Sequence, residues 1–146
     1  MIRRLKKAYL LFACNDDRGI CIKALFLSAF YRFCVLMIPM KKLQSSFGIM
    51  NEESEPEETM DTYRYAAKVA NAVNRICNHT PWESKCLVKA LSAQCLLKKN
   101  KIPSTLYLGV GTEGEHMIAH AWLRSGKFCV TGGNGEGYAL VAKFRA

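Results

Sequence analysis

The chain has 146 residues, half of them hydrophobic, which is enough to bury one ordinary core and too few for two domains with a linker between them. Its formal charge of +9 is unevenly spread: residues 1–49 hold nine Lys/Arg against two acids, and residues 50–61 hold six acids and no base. A basic balance suits nucleic acid, an anionic surface or an acidic peptide, but no base-reading motif is present and the lysines are scattered or sit at helix ends, so nucleic acid is excluded as a partner.

At the start, Arg3, Arg4, Lys6 and Lys7 precede the apolar run Ala8–Cys14, which imitates a secretory signal. The run is only seven residues and Asn15-Asp16-Asp17 ends it, which is short for such a signal. Next, Ile20 to Met40 has the length of a membrane span, but Lys23 and Arg32 interrupt it and each charge costs about 2.5–3.5 kcal/mol at a bilayer centre. Membrane contact is therefore not expected. Residues 19–38 are predicted as one helix, with Ile22, Leu25, Phe26, Ala29, Phe30, Phe33 and Leu36 recurring at three and four and packing on the core. The acidic stretch Asn51–Thr59 has no apolar residue and contains Pro56, so it is expected to be a solvated linker or loop.

Helix signals resume at Asp61, with Ala66, Val69, Ala70, Val73 and Ile76 on one face until Asn78-His79-Thr80-Pro81. A further helix covers about Ser84 to Lys99, with Leu87, Ala90, Leu91 and Leu97 as its apolar stripe. The period then changes to two over Thr105–Val110, Met117–Leu123, Lys127–Thr131 and Tyr138–Phe144, which predicts an antiparallel meander. Helices followed by such a sheet make an α+β fold, its sheet packed on the Ser84 helix. The organisation expected is an N-terminal helical segment (1–48), an acidic linker (49–60) and a core (61–146).

Seven cysteines without a CxxC pair point to buried thiols in a reduced, cytoplasmic protein. Cys86 differs from the rest by its position. With Ser84 as cap, Cys86 falls in the first turn, where the dipole and free N–H groups favour a thiolate and can receive an oxyanion. Thr80-Pro81-Trp82-Glu83 is a competing capping box, and a helix starting there would carry Cys86 past the useful turn; a short turn before the main helix is preferred. His120 stands between Ala119 and Ala121, which leave room for a thiol or substrate. His116 and His120 lie about 13 Å apart along a strand and lack an HExxH glutamate, so no metal is expected. If Ser125-Gly126 is the hairpin loop, His120 faces Thr131 and Trp122 faces Cys129, so the group orienting His120 belongs near Thr131. No Asp follows Asp61; Thr131, Asn134 and Glu136 are the remaining candidates for a third catalytic position.

The segments Pro81-Trp82-Glu83-Ser84-Lys85-Cys86-Leu87, Ile102-Pro103-Ser104-Thr105-Leu106-Tyr107-Leu108-Gly109-Val110, Ala119-His120-Ala121-Trp122 and Val130-Thr131-Gly132-Gly133 together resemble the stand-alone leader peptidases of lasso-peptide biosynthesis. The resemblance implies a transglutaminase-like, papain-related cysteine peptidase without a cofactor, in which Cys86 attacks the bond joining leader to core peptide and His120 shuttles the proton. It implies Trp82 and Leu87 beside the oxyanion and substrate. It also implies a precursor peptide as substrate, a separate leader-binding protein as partner, and delivery of the core to an ATP-dependent lasso cyclase. Where the family has an Asp shortly after the histidine, this chain has Thr131-Gly132-Gly133-Asn134. An acyl transferase of the same fold, and a non-catalytic precursor-binding scaffold, are the competing readings.

Overall fold

The computed structural model describes residues 18–82 and 84–146. The signal-like stretch Met1–Cys14 lies outside the described residues. In chain order the elements are α1 (Arg18–Met37), α2 (Met40–Leu43), a 3-10 turn (Gln44–Ser46), β1 (Ile49–Met50), α3 (Met60–Cys77), α4 (Cys86–Lys99), β2 (Thr105–Glu113), β3 (His116–Ser125), β4 (Phe128–Thr131) and β5 (Ala139–Arg145). Helices precede an antiparallel sheet, the α+β arrangement that the change of period indicates.

α4 is the centre of the core. Eight of its 14 residues are buried, Leu91, Leu96 and Leu97 completely or nearly so, because α1, α3, β3 and β4 all pack on it. The buried Gln94 amide is satisfied by the Phe47 carbonyl at 2.8 Å. α3 buries the face formed by Ala66, Val69, Ala70, Val73 and Ile76. It begins at Thr59, whose hydroxyl accepts from the Thr62 amide at 3.3 Å and satisfies one of the free N–H groups of the first turn. Thr59→Ala is expected to cost about 1 kcal/mol, read in urea unfolding.

α1 packs on the core as expected, with Leu25 of the expected stripe partly buried there, but the rest of the packing side is different. Ile22, Phe26, Phe30, Phe33 and Leu36 are exposed, whereas Cys21, Ala24, Ser28 and Cys34 are buried against α3 and α4. Periodicity cannot choose between two apolar sides, and close approach of helices selects the side with small residues.

The sheet order is β1-β5-β2-β3-β4. β2, β3 and β4 form the expected meander, but β5 returns to the far side of β2 instead of extending it beyond β4. The β3–β4 loop is Gly126-Lys127, one residue later than expected, and a bulge between Leu123 and Arg124 shifts the ladder further, so Leu123 pairs with Thr131 and Arg124 with Cys129. Alternation gives the sheet two unlike sides. Leu106, Leu123, Ala121 and Phe144 join the helical core, while Tyr107, His120, Trp122 and Arg124 share the outer side.

The acidic stretch is a largely exposed loop, one of the two expected forms, and it is fastened to this outer side. β1 pairs with β5, the Ser54 amide donates to Thr105 Oγ1 at 2.8 Å, and Arg124 donates to the carbonyls of Ser54 and Glu55 at 3.2 and 3.3 Å. Glu52 meets Arg145 at 3.0 Å and Glu53 meets Lys143 at 3.3 Å. Backbone groups and carboxylates share the fastening, which is why an apolar-free sequence can be ordered.

Candidate active site

Cys86 is the first residue of α4, and the cap is Lys85, one residue later than Ser84. The Lys85 backbone is extended (ψ −178°) and its side chain makes no cap bond; the first intrahelical bond runs from the Lys89 amide to the Lys85 carbonyl at 3.0 Å. The amides of Cys86, Leu87 and Val88 therefore precede the ladder, and among the described residues no hydrogen bond takes them up. An anion at the Cys86 sulfur or on a carbonyl beside it meets three unclaimed donors and the positive end of the dipole. Thr80 shapes the approach to this terminus: its hydroxyl donates to the Trp82 carbonyl at 2.9 Å and lies 2.9 Å from Ser84 Oγ. Cys77, at the end of α3, is a poor alternative nucleophile: burial pushes its thiol pKa up, against smaller opposing effects from the Ser84 hydroxyl and Lys89.

His120, half-buried on β3, has Nε2 2.7 Å from the Gly132 carbonyl oxygen. A carbonyl can only accept, so Nε2 carries the proton and donates, leaving Nδ1 as the lone pair of the neutral ring. The orienting group is thus a peptide carbonyl next to Thr131, in the region expected but of a kind that side-chain identity does not reveal. The imidazole also lies against two rings, 4.5 Å from Tyr138 and 5.9 Å from Trp122 between centroids and nearly parallel to both, and these two rings are 6.4 Å from each other, so the three form a cluster. Trp122 continues the stack onto Tyr107 at 5.4 Å, and Arg124 covers the Tyr107 ring at 5.9 Å. Gly135 makes room for this array, since a Cβ there would sit 2.4 Å from the Trp122 indole.

Beside the stack is an open cavity of about 270 Å³ lined by Tyr107, Trp122, Arg124, Cys129, Asn134 and Leu140. Aromatic walls of this kind suit an extended peptide with an apolar or aromatic side chain. Tyr107, Tyr138 and Leu140 did not stand out in the sequence; the only signal was alternation placing Tyr107 and Trp122 on one side of adjacent strands. Cys129 corrects the expectation of uniformly buried thiols: it is exposed, while Cys21, Cys34 and Cys77 are buried and Cys86 and Cys95 are half-buried.

The other anticipated residues have different tasks. Thr131 Oγ1 is buried without a hydrogen-bond partner among the described residues, on a strand position paired with Leu123. Asn134 Oδ1 accepts from the Glu136 amide at 3.0 Å and shapes the glycine-rich loop, and the Glu136 side chain is exposed. The Trp82 indole N–H donates to Ser28 Oγ at 3.3 Å, tying the pre-α4 loop to α1, and Leu87 is half-buried against the core. Because an unsatisfied buried hydroxyl costs about 1–3 kcal/mol, Thr131→Val is expected to be neutral or to stabilise by about 1 kcal/mol, read as a raised urea midpoint at unchanged slope.

No hydrogen bond joins Cys86 to His120 among the described residues. The thiol belongs to the helical layer, and the imidazole shares its strand side with Trp122.

Residues 34–144 match the family model described as the transglutaminase-like superfamily. No curated protein and no solved structure matches the chain.

Proposed function

The chain belongs to the transglutaminase-like superfamily, and from that premise we propose that it is a cysteine peptidase removing the leader from a ribosomally made lasso-peptide precursor. The observation that carries the proposal is Cys86 at the first position of α4, with the first-turn amides unclaimed among the described residues. His120 takes the thiol proton at Nδ1 while its Nε2–H stays on Gly132. The sulfur attacks the carbonyl at the end of the leader, and the first-turn amides hold the oxyanion. The C–N bond then breaks, the imidazolium protonates the amine of the released core, and water deprotonated by His120 hydrolyses the thioester. Attack requires Cys86 Sγ and His120 Nδ1 within hydrogen-bond reach, about 3–4 Å; the imidazole here lies on the side of the sheet away from the helical layer that holds the thiol, so a rearrangement of the β3–β4 edge that carries His120 and its Gly132 bond to Cys86 on precursor binding is part of the proposal.

The outer aromatic side and its cavity would receive the substrate chain, whose presentation falls to a separate leader-binding protein. The cyclised product requires an ATP-dependent cyclase downstream, and the setting is the cytoplasm. The absence of a Cys86–His120 hydrogen bond favours one second reading, a precursor-binding scaffold without catalysis.

The test mixes the protein with precursor peptide and leader-binding partner and follows the products of wild type and His120→Ala by mass spectrometry. Cleavage by the wild type and its loss in the variant support the peptidase. Undiminished cleavage in His120→Ala removes the base from the mechanism, precursor binding without cleavage favours the scaffold, and a product carrying an added amine identifies a transferase.

A further inference from the structure

The outer side of α1 bears a continuous apolar stripe: Ile22, Phe26, Phe30, Phe33, Leu36 and Met37 are each between 47% and 70% exposed. From Ile22 to Met37 this is a band about 22 Å long, whereas soluble surfaces carry such residues singly. Ile38 and Met40 prolong it toward α2. Ile22 to Phe33 precede the residues matched by the family model, so the stripe is largely an addition to the shared core.

α1 has the length and composition of a membrane span, with a mean hydropathy of 1.8. It cannot be surrounded by lipid, because its opposite side (Cys21, Ala24, Ser28, Cys34) is packed on α3 and α4, and the Trp82 indole donates to Ser28. A helix held by protein on one side and apolar on the other can lie in the plane of a membrane interface, which is a different disposition from crossing. Lys23, which interrupts a span, is exposed and compatible with that orientation.

Charge indicates the occupant. From Arg18 to Asn51 the chain contains no acidic residue, while Arg18, Lys23, Arg32, Lys41 and Lys42 are basic. Lys41 and Lys42 are exposed at the end of the stripe, where their stems can follow the hydrocarbon boundary and their ammonium groups reach phosphate. A flat apolar stratum beneath a continuous layer of negative charge matches this surface. We propose that the outer side of α1 docks the protein, in plane, on an anionic lipid bilayer. Catalysis at Cys86 is not involved, so the failure of either proposal leaves the other standing.

The test incubates the full chain with sedimentable vesicles of phosphatidylcholine and of phosphatidylcholine mixed equally with phosphatidylglycerol. Binding to the mixed vesicles is expected to be about tenfold tighter or more, to be released by high salt, and to weaken at least about tenfold in Phe26→Ser/Phe33→Ser. Circular dichroism and precursor cleavage in solution check that the variant is folded and active. Absence of binding to the mixed vesicles overturns the proposal, as does binding unaffected by the double substitution. It is also overturned if light scattering shows a concentration-dependent dimer that the double substitution abolishes, because a second copy then covers the stripe.

Discussion

Cys86→Ala is expected to lower precursor cleavage by about 10⁴-fold or more, while urea unfolding changes by no more than about 1 kcal/mol. The two expectations differ so widely because Cys86 occupies a half-buried position at a helix end, where loss of one sulfur removes little packing. The first-turn amides remain, but they have no thioester to form and no tetrahedral intermediate to hold. Cys129→Ala is the control. That thiol is exposed and lines the outer cavity, so a loss of similar size on its removal would place the nucleophile on β4 instead of α4.

The second large effect is expected at Gly132, whose carbonyl orients His120. Its φ is +74°, and a Cβ there would lie 2.4 Å from the Ala121 carbonyl oxygen and 2.9 Å from Trp122 Cα. Both neighbours are backbone or held to backbone, so the β4 end must move. Gly132→Ala is expected to destabilise by about 2–4 kcal/mol. It should also cut activity by about 100-fold in the molecules that remain folded, because a displacement of about 1 Å in an orienting group is enough. Gly133 supplies an internal comparison: its φ is also +74°, but nothing lies within 4 Å of a Cβ built there. Gly133→Ala should therefore incur only the conformational cost of about 1 kcal/mol and retain activity. Equal effects at the two positions would mean that backbone conformation alone matters, and that the Gly132 carbonyl has no special relation to the imidazole. Unfolding curves and the cleavage rates of both variants settle the comparison.

The sequence was informative wherever side-chain type carries the structure. The small and branched face of α3, the helix bearing Cys86 and the switch to a period of two before β2 were all legible, because each depends on which residues are apolar and how they are spaced. The side of α1 that packs was not legible, since Phe26 and Phe33 have the right spacing for a core face and yet Ala24 and Ser28 allow closer approach. The fastening of the acidic stretch is not legible in the sequence, because Arg124 holds it through the carbonyls of Ser54 and Glu55, which every residue possesses. The same holds at the candidate site. A search for an Asp near Thr131 finds none, and the group actually facing His120 is a peptide oxygen of Gly132. The one-residue shift in the β3–β4 loop and the bulge at Leu123 explain why the expected pairing of His120 with Thr131 is replaced by a bond one residue further on. Strand order is likewise absent from local pattern: β5 alternates like any other strand, and only its register with β2 places it there.

The central claim is that Cys86 forms a thioester with the leader. The most direct measurement is an acid quench of protein, precursor and leader-binding partner within the first turnover, followed by mass spectrometry of the digested protein. The expected result is the mass of the acylated leader on the fragment containing Cys86, released by hydroxylamine and lost in Cys86→Ala. An adduct on the fragment containing Cys129, or cleavage with no protein adduct in a variant whose thioester hydrolysis has been slowed, would contradict it.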